Sequence, residues 1–269
     1  MIYIERQHNF VSDASAAGYR LGLVSVSFRQ NSPDRILSAA KAAGLSCIEW
    51  GADVHAPFDA PEKVSEIAEL QARYGIKCSS YGSYFRIGES DNGDLPKLAS
   101  AAKVLGTNIV RIWAGNKGSE QFDETDAEKF IKECRAVAQF GEENGIVFCL
   151  ECHIRTFTDT KEAAYRLITS VNSPCFRMYW QPNQYKTEQE NLEYARLIAP
   201  YTEHIHVFNW SGNDRFPLGT AIPQWKKYLS FFGGGKTLLL EFMPDGEISS
   251  LEAEAKSLRI LAGEPYEKQ

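Results

Sequence analysis

Four residues able to ligate a metal or move a proton close short apolar runs in the second half of this 269-residue chain. Glu151 ends Val147-Phe-Cys-Leu-Glu151, Gln181 ends the run from Phe176, His206 lies within His204–Phe208, and Glu241 ends Thr237-Leu-Leu-Leu-Glu241. A glutamate at the end of an apolar strand is costly to bury unless it is paired or bound to a cation. Two carboxylates, one amide oxygen and one imidazole make a donor set of three oxygens and one nitrogen, which suits a divalent ion. Taken singly, each group reads equally well as a solvated strand end with an ion-pair partner. Ligand-type residues on four successive runs are harder to explain that way, because the register must be right each time.

The elements that would position them follow from the hydrophobic pattern. Apolar runs of four to seven residues occur at Gly22–Phe28, Cys47–Trp50, Lys77–Tyr81, Ile109–Trp113, Val147–Glu151, Phe176–Gln181, His204–Phe208 and Thr237–Glu241. Several are rich in Val, Ile, Phe or Tyr, as buried parallel strands are. Longer amphipathic stretches alternate with them. Ser32-Pro33 opens a helix that Gly44 closes, and Ala60-Pro61 opens one that runs to Gly75. Further helices are expected over Asp94–Leu105, Asp126–Glu143, Thr160–Ile168, Thr187–Ile198, Pro223–Phe232 and Ile248–Leu261. Eight strand–helix units in this length predict an α/β fold, a single (β/α)8 TIM barrel over residues 20–269, with residues 1–19 as an N-terminal extension. A doubly wound open sheet is the rival, but no glycine cluster follows the first strand.

In such a barrel the working groups sit at the C-terminal strand ends, where Glu151 and Glu241 face each other across the mouth. Leu150, Trp180, Val207 and Leu240 then point outward to the helices. Other candidates share this rim. His55 follows the second strand and is a candidate substrate contact. His153 shares a face with Glu151, and Trp113 at the end of strand 4 offers an aromatic ring at the rim for stacking. Arg111, two residues earlier, is expected to pair with Glu49 inside the barrel, and His204 to be a hydrogen-bonded core histidine.

Composition removes other classes. The formal charge is −6 and Lys and Arg are scattered, so no basic face suggests nucleic acid. No apolar run approaches membrane-spanning length, and Met1–Tyr19 lacks a signal-peptide core, so no membrane partner and a cytoplasmic location are expected. The six cysteines are expected to be reduced thiols. Cys149 and Cys152, three apart on a strand, point to opposite faces and cannot readily share an ion. Gly233-Gly-Gly-Lys-Thr237 imitates the end of a phosphate loop, but a helix precedes it and a strand follows, the reverse of the motif.

The chain resembles the xylose-isomerase-like TIM barrels, the sugar phosphate isomerase/epimerase group. The resemblance is carried by Ile48-Glu-Trp-Gly51 with Asp53 and His55, Val110-Arg-Ile-Trp-Ala-Gly115, Leu150-Glu-Cys-His153, His206-Val-Phe-Asn-Trp210 and Leu240-Glu-Phe242, and covers about residues 20–262. It implies a divalent metal (Mn, Mg or Zn) held by Glu151, Gln181, His206 and Glu241, with Gln181 standing where the family has aspartate. The family often shows Asp-x-x-His there; this chain reads Gln181-Pro-Asn-Gln184, so both members are neutral amides. The donor set then sums to −2, which implies weaker affinity and a more electron-poor ion, or a member that has lost its metal. The resemblance further implies a sugar or polyol isomerase or epimerase in which Glu151 and Glu241 transfer protons through an enediolate. Gln184 and Arg215 would join His55, Trp113 and His153 in contacting substrate. A dehydratase or lyase begins with the same proton abstraction and stays open, as does a metal-free carbohydrate-binding protein. Members of the group often associate, so a homo-oligomer is an open expectation.

Overall fold

In the computed structural model, which describes residues 18–263, eight parallel strands close into a barrel in the order β1-β2-β3-β4-β5-β6-β7-β10. The strands are β1 (Arg20–Val24), β2 (Cys47–Gly51), β3 (Lys77–Arg86), β4 (Ile109–Trp113), β5 (Val147–Glu151), β6 (Phe176–Trp180), β7 (Thr202–Val207) and β10 (Thr237–Leu240). The last strand pairs with the first, Arg20 opposite Thr237, and seals the ring. A two-stranded hairpin, β8 (Trp210–Ser211) and β9 (Asp214–Arg215), stands in the loop after β7. All but two residues of the extension expected over residues 1–19 lie outside the described residues. Among those described, no helix is long and apolar enough to cross a membrane.

Helices α1 (Pro33–Ala42), α2 (Pro61–Tyr74), α3 (Leu95–Val104), α4 (Glu124–Asn144), α5 (Lys161–Val171), α6 (Glu188–Ile198), α7 (Ile222–Leu229) and α8 (Leu251–Leu261) cover the outside. Their starts are set by side chains that satisfy the first free backbone amides. Ser32 accepts from the Arg35 amide, Asp123 from Asp126 and Thr160 from Ala163; Thr187 and Glu190 form a reciprocal capping box. Gly75 and Gly145 end α2 and α4 in the left-handed region, at φ 70° and 68°.

Alternation along each strand divides the apolar residues into two cores. The large one lies between strands and helices and holds Leu150, Trp180, Val207 and Leu240, with Trp180 edge-on to Trp225 and Tyr228 of α7. The small one fills the lower barrel with Val24, Cys47, Cys149, Tyr179 and Leu239. Cys149 belongs to the inner core and Cys152 to the outer, as their spacing required, and all six thiols are free.

Three local readings of the sequence need correction. The run from Gly22 is strand only to Val24; Ser25–Phe28 is a 3-10 turn. The cause is side-chain competition for backbone groups: the Gly51 amide donates to Ser25 Oγ at 2.9 Å and the Phe242 amide to Ser27 Oγ at 2.8 Å. Strand β3 runs on to Arg86, with irregular register against both β2 and β4. The β8–β9 hairpin was not expected. Gly233–Lys236 is the turn from α7 into β10, with Gly235 at φ 83°.

Candidate active site

The inward residues one layer above the small core are charged. Glu49 of β2, Arg111 of β4, Glu151 of β5, His206 of β7 and Glu241, one residue past β10, are all buried, Glu49 and His206 completely. Glu241 stays in the ladder because its amide donates to Val207 O at 3.0 Å. Arg111 is the hub. Its Nε donates to Glu49 Oε1 at 2.9 Å and its Nη1 to Glu151 Oε2 at 2.5 Å. The first contact fulfils the expected pairing; the second was missed, although an arginine inside Ile109-Val-Arg-Ile-Trp113 needs compensation for its charge and has five donors to place.

His206 is the second hub. Its Nδ1 lies 3.0 Å from Gln181 Oε1, 3.5 Å from Glu241 Oε2 and 3.8 Å from Glu151 Oε1. Three oxygens therefore surround one nitrogen. In a tetrahedral site with bonds of about 2.1 Å, ligand atoms stand about 3.4 Å apart, close to these separations. The ligand atoms of Glu151, His206 and Glu241 lie within 4.8 Å of one another and form a possible three-residue metal site. Arg111 occupies one oxygen of Glu151 and leaves the other turned to the centre, so the donor set fits a divalent cation.

The same neighbours separate the two carboxyls electrostatically. Burial alone would raise Glu151, but Arg111, His206 and His153 outweigh it and hold the carboxyl below the ordinary range. Glu241 makes no such ion pair with Arg111, and burial, helped by the Glu151 and Glu49 carboxylates, outweighs the pull of His206 and raises it. Burial would likewise raise Glu49, yet Arg111 and His206 hold it well below the usual range. His206 is raised despite its burial, by the carboxylates of Glu241, Glu49 and Glu151.

Around this centre the remaining sequence candidates separate into groups. Trp113 stacks on His153, ring centroids 4.5 Å apart, and the Arg86 guanidinium lies 3.7 Å from the centre of the Trp113 ring. The His153 Nδ1 is engaged by Ile154 O at 2.7 Å. Arg86 was not foreseen; it becomes a rim residue because β3 is longer than its apolar run. Arg215 is exposed on β9 and lies over Trp210 and Phe242, at 4.7 and 4.9 Å, beside the Glu241 strand end. Gln184 is half-buried after β6, and its carbonyl accepts from the Gly212 amide of the hairpin at 2.9 Å. His55 is not brought to the centre: it is buried, with Nδ1 3.1 Å from Ser25 Oγ and Nε2 3.3 Å from Asn31 O. His204 is a core histidine, as expected, with Nε2 3.1 Å from Ser79 O.

Comparison with known proteins bears on the fold and the family. A 3-dehydroshikimate dehydratase from Bacillus anthracis is 24% identical over 119 residues, 44% of this chain and 42% of that protein; the match thus spans less than half of the curated relative. Among solved structures, the IolI protein with a bound zinc atom superposes with a TM-score of 0.73 at 14% identity, covering 91% of this chain and 98% of its own. The D-psicose 3-epimerase of Clostridium cellulolyticum H10, solved with D-tagatose, gives 0.64 at 14%, covering 90% and 98%. At these identities the structural likenesses establish the fold. Residues 37–251 match the sequence model of the xylose isomerase-like TIM barrel, four-fifths of the chain, and the protein belongs to that family.

Proposed function

We propose that this chain is a metal-dependent isomerase or epimerase that moves a proton on carbon within a sugar or polyol. The observation that carries the reading is the unequal pair of carboxyls, Glu151 and Glu241, flanking His206 Nδ1 at 3.8 and 3.5 Å. Divergent proton affinities at one centre are the mark of a base and an acid. A divalent cation (Zn, Mn or Mg) held by Glu151, Gln181, His206 and Glu241 would supply positive charge that polarises a carbonyl and the hydroxyl next to it.

The chain's own groups then divide the work. Glu151, kept ionised by Arg111, takes the proton from the hydroxyl-bearing carbon beside the carbonyl while Glu241 takes the proton of that hydroxyl, leaving an enediolate. Glu241 then protonates the neighbouring carbon in an isomerase, or the same carbon from its other face in an epimerase, and Glu151 returns its proton to oxygen. Trp113, stiffened between Arg86 and His153, offers an aromatic wall for the apolar face of the sugar. Arg215 and Gln184 approach from the hairpin side and would contact substrate hydroxyls.

A dehydratase is the second reading, favoured by the sequence match to the Bacillus anthracis enzyme. It shares the proton abstraction and differs in expelling a hydroxyl. Proton NMR of ketoses and polyols incubated in deuterated water with the protein and each metal separates the two. Deuterium entering a carbon position without loss of water supports isomerisation; an unsaturated product formed with release of water replaces it with the dehydratase; no turnover of any sugar or polyol removes both.

A further inference from the structure

We propose that Glu49 is a positioning residue for the cation site: its buried carboxylate accepts a hydrogen bond from the Nε2–H of His206 and so turns Nδ1 toward the metal. The inference rests on the reading of the centre as a cation site. To bind a cation, Nδ1 must carry no proton, and the neutral ring then carries its proton on Nε2. That atom is buried and has no hydrogen-bond partner. Facing it is Glu49 Oε1, 3.7 Å away, somewhat beyond hydrogen-bond range. A rotation of the imidazole that shortens this separation by about 0.5 Å, as Nδ1 turns from Gln181 to a cation, would complete the bond.

The surroundings fix Glu49 for this role. Arg111 Nε holds one oxygen at 2.9 Å, and Ser80 Oγ donates to the other at 2.9 Å. Room for the carboxylate exists because residue 82 is glycine: a Cβ there would stand 2.5 Å from Glu49 Oε1 and 2.9 Å from Arg111 Nη2. Tyr179 packs edge-on against the His206 ring, centroids 5.1 Å apart, and limits its other motions. Glu49 thereby touches both hubs, orienting His206 directly and Glu151 through Arg111. Metal-bound histidines commonly donate their second N–H to a carboxylate in this way.

Two measurements test the idea. In calorimetric titration of chelator-treated protein with zinc, manganese and magnesium, Glu49→Gln is expected to weaken affinity about 10–100-fold with an unchanged circular dichroism spectrum. Glu49→Asp, which keeps the charge beside Arg111 but withdraws it by one methylene, should weaken it also, and carries the mutational test if the Gln variant does not fold. In 15N NMR of the zinc-loaded wild type, which needs no variant, His206 should be the Nε2–H tautomer with a hydrogen-bonded, exchange-protected proton. A purely structural role for Glu49 predicts an Nε2 proton with no hydrogen bond. Wild-type affinity in a folded Glu49→Gln protein, or a zinc-loaded His206 whose Nε2 proton is not hydrogen-bonded, overturns the inference and leaves the cation site standing. A wild type that binds none of the three metals overturns both.

Discussion

The two faces of the barrel wall obey opposite rules. Outward, Leu150, Trp180, Val207 and Leu240 meet the helices in an apolar layer with few polar groups to satisfy. Inward, often one residue away along the same strands, Glu49, Arg111, Glu151, His206 and Glu241 crowd three carboxyls, a guanidinium and an imidazole into a buried ring. Burial stabilises the first face by removing hydrocarbon from water. On the second face burial is a cost, offset by mutual pairing and, in our reading, by a cation. In the proposed reading, the residues that carry function and those that form the apolar layer alternate along one strand.

The sharpest way to break this division is to remove the proton-transfer groups. Glu241→Gln keeps the shape of the side chain and should lower turnover by about 10²–10⁴-fold, the usual span for a general acid or base. Its melting temperature should stay near that of the wild type, since Glu241 makes no close ion pair with Arg111. Turnover within a few-fold of wild type in steady-state assays would mean that the inward ring is not catalytic.

Next in size are substitutions that cost stability on each face for different reasons. Arg111→Met leaves Glu49 and Glu151 buried without their cation and should cost about 3–5 kcal/mol by urea unfolding. Trp180→Ala opens a hole against Trp225, Tyr228 and Phe232 and should cost a similar ~3–5 kcal/mol. The two should part company in metal titration. The outer change should leave affinity unaltered, whereas the inner one should change it, because only Arg111 touches a proposed ligand. Equal metal affinity in both variants would erase the proposed distinction between the faces.

How legible each face was in the sequence follows from the same division. The outer face was plain, because alternation of strand and helix patterns fixes the barrel and the capping residues fix most helix starts: Pro33, Pro61 and Thr187 all mark them. The inner ring was legible where a polar residue ended an apolar run, as Glu151, Gln181 and Glu241 do. What could not be read is side-chain pairing between neighbouring strands. Arg111 reaches Glu151 forty positions along the chain, on the adjacent strand β5, and only the register of β4 against β5 sets that distance. Arg86 and the hairpin bearing Arg215 were obscure for another reason. β3 reaches Arg86 by pairing with Trp113 of β4 beyond a register shift, and β8–β9 is a hairpin of two residues a side, so no periodicity announces them.

A smaller effect sharpens the account of the ring's charge. Gln181 supplies an oxygen without a charge, 3.0 Å from His206 Nδ1. Gln181→Asp adds a third negative ligand and should tighten divalent-metal binding by about tenfold or more, since affinity in oxygen-rich sites follows ligand charge. By the same reasoning the more negative set should weaken the ion's pull on substrate, so turnover should not rise in proportion. Metal analysis and titration of both proteins check this; absence of metal in both would remove the cation from the scheme.

The smallest expected effect is a pH dependence whose sign differs between the metal-free and metal-loaded protein. In the metal-free ring His206 and Glu241 both bind protons more tightly than they would in an unfolded chain, where the values are about 6.5 and 4.3. A group with a raised folded value contributes stability below its unfolded value and loses it as pH rises through the folded one. Metal-free protein should therefore lose melting temperature as pH rises above about 4.3 on account of Glu241 and above about 6.5 on account of His206. Glu49 and Glu151, held low by Arg111, act in the opposite sense and cost stability only in acid, below about pH 4. The cation reverses the alkaline trend. It must displace protons from His206 and Glu241, so its affinity should climb with pH over the same interval, by at most about tenfold per pH unit for each proton released. Calorimetry in two buffers of different ionisation enthalpy counts those protons directly. If none is released on metal binding, the ion does not sit among His206 and the two glutamates, and the inward face would be a structural ion network.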